Sequence, residues 1–200
     1  MSYSLSIYVV ELDRVKGAIG SRDDKLRRMI GGRFKAQLTH DDDWLADEIA
    51  AGAPTRYEAV RAVVDGGPFD PAYGFQYGYA YQTICQFYGR FVDNRYFSAF
   101  RGRWLDHIDD GLATLGIKAV SVRAFMYHSL PPSLPQPDEL PGYGEWTPEQ
   151  CAEALVQWES TTPPQREEVD HEVLAAIESC VEWIREAQAR PGWGIAGFFY

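Results

Sequence analysis

The chain has 200 residues, 46% hydrophobic and 24% charged, with 19 Lys/Arg against 29 Asp/Glu and a formal net charge of −10. That size and balance fit one soluble globular domain with a substantial core. Residues 101–200 carry seven Lys/Arg against sixteen Asp/Glu, a balance of −9, which disfavours general binding to a phosphate backbone and fits a basic partner or simple solubility.

Ser2 to Val10 alternates, with Tyr3, Leu5, Ile7 and Val9 on one side, and predicts a half-buried strand. That run is short and meets Glu11 and Asp13 at once, so it does not resemble a secretory signal. No apolar run approaches the ~20 residues that a membrane helix needs. Leu12, Val15 and Ile19 predict a short helix stopped at Gly20. Ser21 with Asp24 reads as a capping box, opening a helix with Leu26, Met29 and Ile30 inward and Gly31-Gly32 at its end. Phe34, Ala36 and Leu38 alternate as a short strand. Asp41, Asp42 and Asp43 precede Trp44, Leu45 and Ile49, and clustered carboxylates match the positive end of a helix dipole. Thr55 and Glu58 form a second capping box, for a helix built on Val60, Val63 and Val64 and ended by Gly66-Gly67-Pro68.

The stretch from Tyr73 to Phe91 organises the rest. Its first rings, Tyr73 to Tyr81, alternate at the period of a strand, yet Tyr77, Tyr81, Ile84, Tyr88 and Phe91 form one helical stripe. So long an apolar run suits a buried helix better than a single strand. Gly78 and Gly89 admit close neighbours, and Gln76, Gln82 and Gln86 lie within helical reach of the tyrosine hydroxyls. The rings serve either as core or as the wall of a pocket for a flat ligand.

Beyond Phe91 a polar-aromatic loop runs to Arg103, with Ser98 as the cap of a helix whose inner face is Trp104, Leu105, Ile108, Leu112 and Leu115, closed by Gly116. Ile117 to Val122 is β-branched enough for a short strand, while Ser121 to His128 also fits partial helix. Leu130 to Pro148 holds six of the twelve prolines and predicts an ordered, irregular excursion at about 130–148. Thr147-Pro148-Glu149-Gln150 opens a helix with Cys151, Ala154, Leu155 and Trp158 inward. Thr162-Pro163-Pro164-Gln165 opens another, with Val169, Val173, Ile177, Cys180, Val181 and Ile184 inward, broken at Arg190-Pro191-Gly192. Trp193 to Tyr200 is strand-like. Neither terminal strand can satisfy its backbone groups alone, so the two pair in one small sheet. The fold class is α+β, helix-dominated, a single domain over residues 1–200. Cys85, Cys151 and Cys180 fall on apolar helix faces, as reduced buried thiols of a cytoplasmic protein do.

The opening S-Y-S-L-S-I-Y-V-V-E-L-D-R-V with I-G-S-R-D, then D-G-G-P-F-D followed by F-Q-Y-G-Y-A-Y-Q-T-I-C, and the final G-F-F-Y resemble a bacterial family of uncharacterised proteins. The resemblance covers nearly the whole chain. It implies a bacterial cytoplasmic single domain and brings no catalytic residues with it.

Chemistry is sparse. His40, His107, His128 and His171 are scattered, without H-E-x-x-H or C-x-x-C spacing, so no metal or cofactor is expected. Asp106 and Asp110 share a helical face beside His107 and could hold a hard cation or work as acid and base; a solvated face opposite Leu105, Ile108 and Leu112 is the commoner outcome. No nucleophile elbow, Walker motif or dinucleotide glycine pattern occurs. The basic cluster Arg22, Lys25, Arg27, Arg28, Arg33 and Lys35 is interleaved with Asp23 and Asp24 as a solvated helix face is. The leading expectation is a non-enzymatic binding or regulatory protein, of the immunity type for example, with another protein as partner and neither nucleic acid nor membrane. The alternative is a small-molecule-binding protein or hydrolase with a cleft between the aromatic helix and the Trp104–Asp110 helix. Tyr77, Tyr81, Asn94, Trp104 and Asp106 would then line that cleft.

Overall fold

The computed structural model describes residues 2–127 and 129–200; His128, with the end of the Ser121–His128 prediction, lies outside them. In chain order come β1 (Tyr3–Glu11), α1 (Leu12–Ala18), α2 (Asp24–Arg33), α3 (Lys35–Trp44), α4 (Ala46–Ala50), α5 (Arg56–Asp65) and α6 (Gly74–Tyr88). There follow β2 (Arg90–Phe91), β3 (Ser98–Phe100), α7 (Trp104–Thr114), α8 (Ala124–Tyr127) and β4 (Gly142–Trp146). The last are α9 (Pro148–Glu159), α10 (Pro163–Glu167), α11 (His171–Gln188) and β5 (Trp193–Phe199). The protein is a helix-rich α+β structure, and its residues gather in two compact units. Of the described residues, one comprises 2–12, 89–127 and 142–200; the other comprises 13–88 and 129–141.

The first unit is built on an antiparallel sheet of order β2-β1-β5-β4, with β3 also paired to β1. The terminal strands zip over their full length, from Leu5 opposite Phe199 to Glu11 opposite Trp193. The half-buried expectation for β1 fails, because Tyr8 and Val10 are closed off as well as Leu5, Ile7 and Val9. A strand in mid-sheet has both faces available for cover, and alternation read from one face alone misses the second. Helix α11 lays Val173, Ile177, Cys180, Val181 and Ile184 into the core together with Leu105, Ile108 and Leu112 of α7. Gly111 permits the α7–α11 approach, since a Cβ there would stand 2.7 Å from Val173.

Several local expectations in this unit are corrected. Ser98 lies in β3, and α7 begins at Trp104 without a side-chain cap. Residues 117–122 form no strand; side chains rather than a ladder satisfy their backbone. The proline-rich excursion ends at Pro141, because Gly142–Trp146 carries no proline and pairs with β5 as an edge strand. The Thr162 box starts only the five-residue α10, and Asp170 caps α11 separately by accepting from the amides of Glu172 and Val173.

The second unit packs α5 and α6 with the shorter helices. Helix α6 buries Tyr77, Tyr81 and Ile84 of the predicted stripe, with Cys85 beside them; Tyr88 is only part-buried, and Phe91 has left the helix for β2 and is exposed. Two of the glutamines bond away from the tyrosines: Gln76 donates to the Pro54 carbonyl and Gln86 exchanges amide bonds with Gln37. The excursion lies on α6 at its glycines, where a Cβ at Gly74 would stand 2.4 Å from the Gln136 carbonyl oxygen. Asp23, not Ser21, caps α2, and α2 runs on through Gly31-Gly32 to Arg33, leaving Met29 exposed. Phe34 and Leu38 are buried four residues apart because 35–44 is helix rather than strand. The three aspartates therefore sit at the end of α3; Asp42 instead accepts from the Arg56 amide at 2.7 Å, capping α5 beside the Thr55–Glu58 box.

Candidate functional site

In the first unit, the segment 117–127 that follows α7 has no regular structure before the single turn of α8, yet it is tied down along its length. The Asp109 carboxylate on α7 accepts from the Ser121 hydroxyl at 2.5 Å and from the Val122 amide at 2.8 Å, with the Arg123 amide at 3.4 Å. Gln157 on α9 accepts from the amides of Lys118 and Ala119 at 2.8 and 3.1 Å. The Trp146 indole of β4 donates to the Ser121 carbonyl at 3.0 Å. Burial raises the Asp109 carboxyl above the ordinary carboxylate range, even with these donors opposing the shift.

Beneath α8 the sheet is floored with glycine. A Cβ at Gly144 would stand 2.3 Å from the Ala124 carbonyl oxygen, and one at Gly197 2.4 Å from the Phe125 ring. Phe125 is fully buried and packs on Trp146, with ring centroids 4.9 Å apart. The backbone of α8 thus rests directly on β4 and the Phe125 ring on β5, a closeness only glycine allows.

What this seated segment turns outward is Lys118, Arg123 and Tyr127. Arg123 and Tyr127 line two cavities at once. One, of about 410 Å³, also meets Lys118, Ser121, Glu145 and Gln150. The other, of about 260 Å³, has Tyr3, Phe100, Phe199 and Met126 as its apolar lining and Arg103 and Asp106 with Arg123 as its charged one. Asp106 bridges the two arginines with one oxygen each, Oδ2 to Arg103 Nε at 2.9 Å and Oδ1 to Arg123 Nε at 3.0 Å. The Arg103 bond holds the Asp106 carboxyl below its ordinary range.

The residues singled out in the sequence fall in different places. Tyr77 and Tyr81 belong to the core of the second unit, 3% and 0% exposed, with the Tyr77 hydroxyl accepting from the Asp70 amide. The other three are in the first unit. Asn94 donates to the Leu5 carbonyl, and Trp104 donates to the Tyr96 carbonyl at 2.7 Å. Asp106 alone lines the ring-floored cavity; His107 and Asp110 line a separate depression with Trp104. Asp106 and Asp110 are therefore not brought together as a pair, and the guanidinium groups on Asp106 occupy the oxygens a cation would need. Among the described residues, no group of three or more His, Cys, Asp or Glu is placed to hold a metal ion. Arg103, Lys118, Arg123 and Tyr127 were not singled out by spacing. The one hint was chemical: three of the seven cations in an acidic half fall within 103–123.

All three cysteines are free and buried, and burial pushes the Cys151 thiol up to about 12. No helix among the described residues is long and apolar enough to cross a membrane. Neither the curated proteins nor the solved structures contain a match to this chain. A family profile does match, over residues 1–200, and the chain belongs to that family, described as Domain of unknown function (DUF7691).

Proposed function

We propose that the chain is a non-catalytic binding protein of the bacterial cytoplasm, with a regulatory role, and that its ligand sits against the 117–127 segment of the first unit. The observation carrying this reading is the fixing of an irregular segment by three separate side chains and a glycine floor, so that Lys118, Arg123 and Tyr127 stand ready at two adjoining cavities. Such preorganisation lowers the entropy cost of binding. Irregular segments held on a rigid scaffold are where binding residues concentrate.

Binding is favoured over catalysis because the reactive groups nearby are engaged elsewhere. Asp109 spends its carboxylate on the segment's own donors, and Asp106 is shared between two guanidinium groups. The buried, free thiols support a reducing compartment. A nitrogen-15 NMR screen of a mixed fragment library tests the reading. Hits should shift the amides of Lys118 to Tyr127; a screen whose hits all map elsewhere, or which finds none, refutes it.

A further inference from the structure

We propose that the smaller cavity is a recognition site for an oxyanion, carboxylate or phosphate, carried on a single aromatic ring. This rests on the binding reading above and names the ligand class.

The argument begins with how Asp106 divides its oxygens. Arg103 donates to Asp106 through Nε, and Arg123 pairs with the other oxygen through Nε while its guanidinium lies 5.5 Å from the Tyr127 ring centroid. Among the described residues no hydrogen-bond acceptor takes up the terminal Nη groups of either. The two guanidinium groups are thereby fixed on either side of one carboxylate, with their outer N–H groups available. They remain open to solvent, Arg103 78% and Arg123 47% exposed. Asp110 also acts on Arg103 through charge and Asp109 on Arg123, so the rim offers an oxyanion its outer N–H groups rather than a surplus of positive charge. A second oxyanion at that rim accepts the forked N–H geometry for which arginine is suited.

The body of the ligand follows from the floor. Tyr3 stacks on Phe199 with centroids 5.1 Å apart, and Phe100 lies 6.1 Å from Tyr3 and 6.2 Å from Phe199, so three rings close a triangle. Met126 adds an adaptable thioether beside them. Flat apolar groups are what such a surface receives, by offset or edge contact. The volume of about 260 Å³ lies below the ~300–1,000 Å³ of drug-sized pockets, which limits the body to one ring and not a fused or polymeric one.

The test is an NMR titration of the full chain at low ionic strength with five probes. Phenyl phosphate and phenylacetate carry both features, benzyl alcohol the ring alone, and inorganic phosphate and acetate the charge alone. The two aryl oxyanions should bind at least about tenfold more tightly than the other three, and the ratio between them assigns phosphate or carboxylate as the preferred group. Arg103→Gln and Arg123→Gln, both at exposed side chains, should each weaken the aryl oxyanions by roughly five- to tenfold, and the double variant should bring them to the level of benzyl alcohol. Arg123→Lys, which keeps the charge and loses the fork, should recover little. Arg101→Gln, outside the cavity lining, should change nothing. Equal affinity for phenyl phosphate and inorganic phosphate, or arginine variants that bind as the parent does, overturns the proposal. Should benzyl alcohol shift the Lys118–Tyr127 amides as strongly as phenyl phosphate, the oxyanion assignment falls while the binding reading stands. Should no probe shift them and the fragment screen be empty too, both fall.

Discussion

Gly144→Ala is the sharpest perturbation of the scaffold beneath the site. The added Cβ would stand 2.3 Å from the Ala124 carbonyl oxygen, 2.6 Å from its carbon and 2.8 Å from the Phe125 Cα. All three are backbone atoms, so no side chain can swing aside, and ordinary contact requires α8 to lift from β4 by about 1 Å. That lift must loosen Phe125 from Trp146 and strain the bonds that Asp109 and Trp146 make to residues 121–123. Overpacking of this kind costs about 2–3 kcal/mol. For a chain of this length the thermal midpoint should fall by roughly 5–10 °C. Calorimetry measures the first effect. An amide spectrum should show the second, with shifts spread over 117–127 and loss of the fragment response there. A midpoint within about 1 °C of the parent, with the segment's amides unmoved, refutes the claim that the glycine floor seats it.

Gly32→Ala provides the opposite sign: its Cβ would meet nothing within 4 Å inside α2, so the variant should gain about 0.5–1 kcal/mol in urea unfolding. Asp109→Asn addresses the raised carboxyl. Because the folded group titrates above its unfolded value, the stability it contributes is complete below the ordinary carboxylate range and is lost as pH rises through the raised value. The stability of the parent minus that of the variant, followed by urea unfolding from acid to neutral pH, should therefore fall as pH rises; a flat or rising difference contradicts the burial argument. Iodoacetamide should leave Cys151 unmodified in the native protein at neutral pH and label it after denaturation, because a thiol pushed up to about 12 yields almost no thiolate. Rapid native labelling would show that this thiol is accessible.

Much of the scaffold was legible because it is local. The alternation in Tyr3–Val9, the stripe Tyr77–Tyr81–Ile84 and the boxes at Thr55 and Thr147 each lie within a few residues, where period and capping chemistry act directly. The site was mostly illegible because its supports are distant in sequence. Asp109 lies 12 residues from Ser121 and Gln157 lies 39 from Lys118, and neither pairing leaves a periodic trace. Gly144 falls in the stretch read as an irregular excursion and Gly197 in a strand-like one, and nothing local to either marks that α8 crosses it. Tyr77 and Tyr81 show the converse limit: helical spacing places rings on one face without saying whether that face meets a ligand or other side chains.

The pairing of Leu5 with Phe199 also has a consequence for biosynthesis. Strand β1 leaves the ribosome before nearly all the rest of the chain, and β5, its full-length partner, emerges only after residue 192. At roughly 5–20 residues per second, the nascent apolar ribbon waits on the order of 10–40 s with much of its edge unsatisfied. Among the described residues, the strands that pair with β1 sooner are the two-residue β2 and the three-residue β3. Translation speed and holding chaperones thus bear on the yield of this protein more than its modest length implies.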